Sequence, residues 1–236
     1  GADILDIGGE STRPGAPPVA LDEELARVVP VLKEAVKLGV PVSVDTCKPE
    51  VMREALDLGA DIINDIRALR QPGAMAVVAS HPGCGVCLMH LHRDPQTMQL
   101  TPMQGDVVPQ VRRFLAVAAT EALAQGVAAE RIMLDPGIGF GKTVEQNFSL
   151  LARQGELLAE GFPLLVGWSR KSSLGVVSAM NGQLPPADSR LAASVAAAVL
   201  ATERGAAVVR VHDVLETVQA LAVCRAVHEQ TPVGKS

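Results

Sequence analysis

Aromatic side chains are scarce in this chain of 236 residues: tyrosine is absent, and four Phe and one Trp make up the whole complement. Proteins that grip nucleic acid commonly interleave such rings with a basic stripe, yet here Asp plus Glu (26) outnumber Lys plus Arg (21) and the net charge is -5. No nucleic-acid partner is expected. No apolar stretch of about eighteen residues occurs, and the opening residues lack a basic start followed by a cleavable apolar run, so no membrane span or leader is read. A soluble, cytoplasmic protein is expected, and four cysteines in a chain of this size make no disulfide framework.

Cys84-Gly85-Val86-Cys87 has CxxC spacing, with His81, His90 and His92 close by. A redox pair opens a helix after a strand, whereas this pair runs into the strand Val86-Cys87-Leu88-Met89-His90, whose alternation sends Cys87 and His90 to opposite faces. No second CxxC completes a four-ligand set, so no protein-held metal is assigned.

What the chain does have is a series of short apolar runs that each end in polar, charged or glycine residues. They are Ile4 to Arg13, Val42 to Thr46, Ile62 to Asp65, Ile132 to Gly137, Leu164 to Lys171 and Val208 to Asp213. Polar groups confined to the far ends of buried strands fit an active site at the carboxyl edge of a parallel sheet or barrel. Helix-compatible stretches end at glycine and feed a strand at Gly59-Ala60-Asp61-Ile62 and Gly205-Ala206-Ala207-Val208, and Gly1-Ala2-Asp3-Ile4 repeats that junction.

Seven strands are predicted, at about 2–8, 41–46, 62–66, 86–90, 132–136, 163–168 and 208–212. Helices are predicted over 21–38 and near 48–58, 73–80, 107–125, 144–160, 187–204 and 214–229. Strands alternating with helices predict an α/β fold, a TIM (β/α)8-type barrel with only seven βα strands present in this chain. A first βα unit is expected to be missing, residues 1–230 are read as one domain, and 231–236 as a flexible tail. Helix 187–204 is small and apolar on nearly every side, which predicts burial against a second subunit or in an ordinary core.

Alternation places Asp45 with Ser43, Asn64 with Ile62, Asp135 with Met133, Lys171 with Ser169, and Arg210 with His212, so each set can point inward. Asp45, Asn64 and Asp135 suit a ligand edge rich in N–H donors, such as an aminopyrimidinone. Arg13, Arg210 and His212 suit a phosphate or diphosphate, and Lys171 bridges the two. Plainer roles stand beside these: Asp45-Thr46 as a helix cap, Arg210 with His212 as a surface pair, and Asp6 as a buried partner for Lys or Arg. Gly137-Ile138-Gly139-Phe140-Gly141-Lys142-Thr143 fails both the Walker A and the dinucleotide spacings. It is read as a flexible glycine loop that lets a planar ligand approach the backbone. Ser11 to Pro18 reads as a polar loop that can close over a substrate, or as ordinary surface.

At these residues the chain resembles the dihydropteroate synthases, the folate-pathway enzymes that sulfonamides inhibit. The matching segments are Asp6 to Ala16, Ser43 to Thr46, Ile63 to Ile66, Cys87 to His90, Leu134 to Lys142, Ser169 to Ser172 and Arg210 to Asp213. The resemblance implies a cytoplasmic, homodimeric, pterin-binding transferase. It would condense 6-hydroxymethyl-7,8-dihydropterin diphosphate with p-aminobenzoate to 7,8-dihydropteroate and pyrophosphate. It implies that Asp45, Asn64, Asp135 and Lys171 hold the pterin with Met89 lining the pocket, and that Arg210 and His212 bind diphosphate. Thr12, Arg13, Phe140 and Ser169 would flank the aminobenzoate. Arg210, His212 and Lys171 would carry catalysis in a dissociative reaction, and a Schiff-base role for Lys171 is the rival. The resemblance also implies Mg2+, although the family's Asn-Val-Thr-Pro-Asp-Ser-Phe type motif, whose Asn helps bind it, does not appear in this chain. A catalytically silent pterin-binding protein and a corrinoid-linked pterin methyltransferase are the alternatives.

Overall fold

The computed structural model describes residues 1–230; the tail expected over 231–236 lies outside the described residues. All seven expected strands form: β1 (Leu5–Gly8), β2 (Val42–Asp45), β3 (Ile62–Asp65), β4 (Gly85–Met89), β5 (Ile132–Asp135), β6 (Leu165–Val166) and β7 (Val208–Val209). β1 to β5 pair in chain order as one parallel sheet, and β6 pairs with β7, also in parallel. A single bridge between Leu134 and Leu164 joins the two sets. Two of the strands are shorter than expected, because only two residues of 163–168 and two of 208–212 keep ladder geometry.

Helices alternate with the strands: α1 (Leu21–Ala35), α2 (Pro49–Asp57), α3 (Ala74–Ser80), α4 (Val107–Ala124), α5 (Val144–Ala152), α6 (Gln154–Leu158), α7 (Ser172–Val177), α8 (Leu191–Glu203) and α9 (Val214–Glu229). Their starts follow local chemistry. Asp106 caps α4 by accepting from Val108 N at 3.2 Å, Pro49 opens α2 at a position needing no N–H, and Thr143 with Gln146 makes a full capping box on α5. Gly39, Gly59 and Gly205 stand in the left-handed region where the preceding helices end. The helix expected over 144–160 breaks at Arg153 into α5 and α6. α7, a single short turn after β6, was not anticipated, since its six residues are too few to show a period.

The strands alternate cleanly. Val42, Val44, Ile63, Val86, Leu88, Ile132 and Leu134 are buried against the helices, each contributing about 1.5–3 kcal/mol by leaving water. The other face turns inward and carries Ser43, Asp45, Ile62, Asn64, Cys87, Met89, Met133 and Asp135, with Asp45 level with Asn64 and Met89 level with Asp135. This is a TIM-type barrel with seven parallel strands among the described residues. β1 and β7 are not paired with each other. The seam between them opens on a cavity of about 580 Å³ that reaches Ser43, Cys87 and Met133 inside the barrel.

Within the single chain α8 is buried along one side only, so the ordinary-core reading does not hold for the whole helix. Ser194, Ala197, Ala198 and Ala201 face inward, while Leu191 and Leu200 are exposed to either side of that face.

Candidate active site

The carboxyl ends of β1, β2, β3, β5, β6 and β7 converge. Arg210, just past β7, spans the seam: its Nε donates to Asp6 Oδ2 at 2.5 Å and its NH2 lies 3.5 Å from Asp45 Oδ2. Asn64 Nδ2 reaches the same Asp6 oxygen at 3.4 Å, while Asp6 Oδ1 is buried without a partner. Asp6 is therefore the partner of Arg210, the plainer role the sequence left open, and Arg210 is no mere surface residue. Asp45 stands among acids. Burial and the Asp6 carboxylate push its pKa up to about 7 against the opposing pull of Arg210.

Opposite this cluster, Asp135 Oδ1 accepts from Gly137 N at 2.7 Å, which fixes one oxygen and leaves the other free for a ligand. Burial raises its pKa, and Lys171 is the leading influence that holds it down. Lys171 Nζ donates to Ile138 O and sits 4.7 Å from the centre of the Phe140 ring. Desolvation lowers the Lys171 pKa to about 8 even beside Asp135. Met89 is buried at the end of β4, level with Asp135.

The loop read as flexible is packed instead. Gly137, Ile138, Gly141 and Lys142 are all buried. At Gly137, with φ +67°, a Cβ would fall 1.9 Å from His90 O, and at Gly141 one would fall 2.7 Å from His92 O. The glycines let the loop lie directly on the chain leaving β4. Lys142 ties the loop from within: its ammonium donates to Gly137 O at 2.8 Å, Phe140 O at 3.2 Å and His90 Nδ1 at 2.9 Å. Burial brings its pKa down to about 7. His90, buried edge-on to Phe114, is held far below its ordinary pKa by desolvation and by Lys142, so its neutral ring accepts the lysine proton. Cys87 faces the barrel interior and His90 its outside, as alternation required, and Cys84 and Cys87 are both free thiols.

At the β6 and β7 ends, Ser169 Oγ lies 2.9 Å from His212 Nδ1 and also accepts from His212 N at 3.2 Å. Desolvation lowers the His212 pKa, and the neighbouring charges of Arg170, Arg210 and Arg13 act in the same direction. Arg170, Arg210 and Arg13 outnumber the single Asp213 carboxylate among the charges felt at His212, an excess that favours an anion at this corner. Arg170 pairs with Asp213 through both guanidinium edges, which locks the two strand ends together. Thr12 and Arg13 stand in the loop after β1, with Arg13 exposed and its charge felt at His212.

Comparison with known proteins identifies the family. A family model described as pterin binding enzyme matches residues 1–212. The dihydropteroate synthase of Escherichia coli (strain K12) is 48% identical over 227 residues, covering 96% of this chain and 78% of the relative. The chain belongs to the dihydropteroate synthases. Among solved structures, the Burkholderia cenocepacia dihydropteroate synthase complexed with 7,8-dihydropteroate is 56% identical and superposes with a TM-score of 0.89, covering 97% of this chain and 82% of that one. The Yersinia pestis dihydropteroate synthase in complex with a sulfonamide drug is 44% identical with a TM-score of 0.92, covering 97% and 82%.

In this dihydropteroate synthase chain the reading of motifs offered Asp6 as a buried partner for Lys or Arg without naming Arg210, and it assigned no role to Lys142 with His90 as the clamp on the glycine loop. Asp6 carried a signal, an acid inside a strand. The Lys142 and His90 pair carried none, since the two are far apart in sequence and meet only through the fold.

Proposed function

We propose that residues 1–230 act as one unit that seats the dihydropterin between Asp45, Asn64, Asp135 and Lys171, with Met89 against the ring, and its diphosphate at Arg210 and His212. The observation that carries this reading is the division of the site's charge. Carboxylate and amide acceptors gather at the β2, β3 and β5 ends, while at the β7 end Arg170, Arg210 and Arg13 act on His212 against the one opposing carboxylate of Asp213. Thr12, Arg13, Phe140 and Ser169 would flank p-aminobenzoate, and sulfonamides would compete there.

In the reaction the carbon–oxygen bond to diphosphate breaks first, and its electron pair leaves on the diphosphate. Arg210, His212 and Arg13 offset the charge that develops on the leaving oxygens. Asp45 and Asp135, when ionised, oppose the positive charge left on the pterin methylene. The arylamine nitrogen then forms the new bond and releases a proton. Lys171 donates a hydrogen bond and helps keep Asp135 ionised; its charge, neutral in half the molecules near pH 8, needs no covalent role.

Magnesium has no protein cage in this arrangement. Among the described residues no three His, Cys, Asp or Glu groups converge to hold an ion, and Asp6 and Asp45 are both engaged by Arg210. Any magnesium would accompany the substrate diphosphate as its counter-ion. Among the described residues no helix is long and apolar enough to cross a membrane. The four unpaired cysteines support our placing the reaction in the cytoplasm. The apolar outer side of α8 supports a homodimer.

The deciding experiment is formation of 7,8-dihydropteroate and pyrophosphate from the two substrates with Mg2+. Product with release of one pyrophosphate per turnover is expected. A folded protein that binds pterin and yields no product would be the silent pterin binder instead.

A further inference from the structure

The chain leaving β1 is held by a cluster between α1 and the chain after β2. At Gly9 a Cβ would stand 2.8 Å from Val28 Cγ2 and 2.9 Å from Glu24 Cγ, so the backbone lies flat on α1, and Arg27 NH1 donates to Gly9 O at 2.9 Å. Glu24 is 1% exposed. It accepts from Thr46 Oγ1 at 2.6 Å and from Lys48 Nζ. The same ammonium reaches the carboxylate of Glu10, and Lys48 N donates to Thr46 Oγ1 at 3.2 Å. Burial alone would pull the Lys48 pKa down, yet the bonds from Glu10 and Glu24 outweigh it and raise it.

Beyond Glu10 the attachments become local. Arg13 N approaches Ser11 Oγ at 3.5 Å and Ala16 N donates to Arg13 O at 3.1 Å. Among the described residues, Glu10 is the last side chain to anchor this loop to the body before Thr12 and Arg13. One ammonium between two carboxylates is a directional joint: remove the charge, and Glu10 and Glu24 repel while the loop root is released.

We propose that Lys48 and Glu10 are positioning residues for the second substrate: the Glu24, Lys48 and Glu10 clamp sets where Thr12 and Arg13 stand, without touching either substrate. The proposal rests on the reading that Thr12 and Arg13 flank p-aminobenzoate. Its consequence is read at Glu10, which lies in the chain leaving β1 three residues before Arg13, whereas Lys48 follows the pterin-facing Asp45 on β2.

The test compares Glu10→Gln, Lys48→Met, Lys48→Arg and Arg13→Ala in steady-state turnover, with KM read separately for each substrate and melting temperature read alongside. Glu10→Gln keeps the buried Lys48 and Glu24 pair and is the variant that preserves folding. It is expected to raise KM for p-aminobenzoate about tenfold, the loss of roughly one charge-assisted hydrogen bond, and to leave KM for the pterin diphosphate within about twofold. Lys48→Met should move the same constant at least as far, and Lys48→Arg should stay close to the parent. If Arg13→Ala raises the aminobenzoate KM while Glu10→Gln does not, the clamp is refuted and the subsite reading stands. If Arg13→Ala leaves it unmoved, the subsite reading fails and takes the clamp with it. An equal rise in both constants, or a change in melting temperature alone, also overturns the proposal.

Discussion

Replacing Arg210 by methionine removes the one cation that two carboxylates share. Its guanidinium stands 2.5 Å from Asp6 and 3.5 Å from Asp45, and it is the leading influence opposing the burial and the Asp6 charge that push Asp45 up to about 7. An opposite charge at such range moves a carboxyl by about 1–3 pH units. The Arg210 side chain is 43% exposed, so solvent screening favours the lower end, and Asp45 should titrate about one pH unit higher in the variant. The sign follows from proton uptake. A folded Asp45 titrating near 7, against an ordinary 3.8, gives a favourable contribution that is full below the ordinary value and gone once pH passes about 7. In the variant that loss continues for another pH unit. Through this group the variant is equal to the parent near pH 5 and weaker by about 1.4 kcal/mol above pH 8, or about 3–6 °C in melting temperature at this chain length. Thermal melts of both proteins from pH 5 to 9 read this directly. Calorimetry should also show the diphosphate ester losing more affinity than free pterin. A melting difference that is the same at every pH, or equal losses for both ligands, would refute the reasoning.

Asp135→Asn keeps an oxygen for Gly137 N, so folding should survive, but it offers an N–H end to the ligand where a second acceptor stood. Pterin affinity should fall by about tenfold to a hundredfold, and unchanged affinity by calorimetry removes Asp135 from the pterin site. Gly137→Ala places a Cβ 1.9 Å from His90 O at φ +67°. A cost of about 3 kcal/mol, or about 6–12 °C, is expected in a thermal melt, and a variant that melts with the parent would mean the loop is loose after all. Leu200→Glu puts a charge at an exposed leucine of α8; if the proposed homodimer forms there, sedimentation should show the parent as a dimer and the variant as a monomer, and a monomeric parent or an unaltered dimer would refute that interface.

Seven strands and most helices were legible in the sequence because each junction is marked by residues with a backbone reason to be there, as at Gly59 and Gly205. The inward set was legible for a related reason: a strand has a period of two, so Asp45, Asn64 and Asp135 could be aimed without knowing the fold. Where period fails, so did the reading. α7 is too short to show one, and the break at Arg153 leaves α5 and α6 in phase enough to read as one helix. The glycine loop was misread because glycine signals backbone freedom and close approach equally. Only the 1.9 Å gap at Gly137 shows that it is the second that matters here.

The charges in this barrel mouth are not arranged for the stability of the chain alone. Desolvation pushes Asp45 and Asp135 up and brings Lys171 and Lys142 down, so each is held away from its preferred ionisation, and Asp6 keeps one buried oxygen unpaired. A chain under no other demand would replace such groups with apolar ones. Lys142 is the exception that separates structure from function, because its three donors meet three acceptors within the protein. The free oxygen of Asp135 and the buried Oδ1 of Asp6 lack that closure. In the proposed seating, the Asp135 oxygen is the one offered to the donor-rich heterocycle. Open hydrogen bonding alone does not mark a ligand site, since Gln154 Oε1 and Trp168 Nε1 are also buried without a partner. The proposed pterin seating rests on the open oxygen of Asp135 at a strand's carboxyl end, in a frame that the fully bonded Lys142 holds.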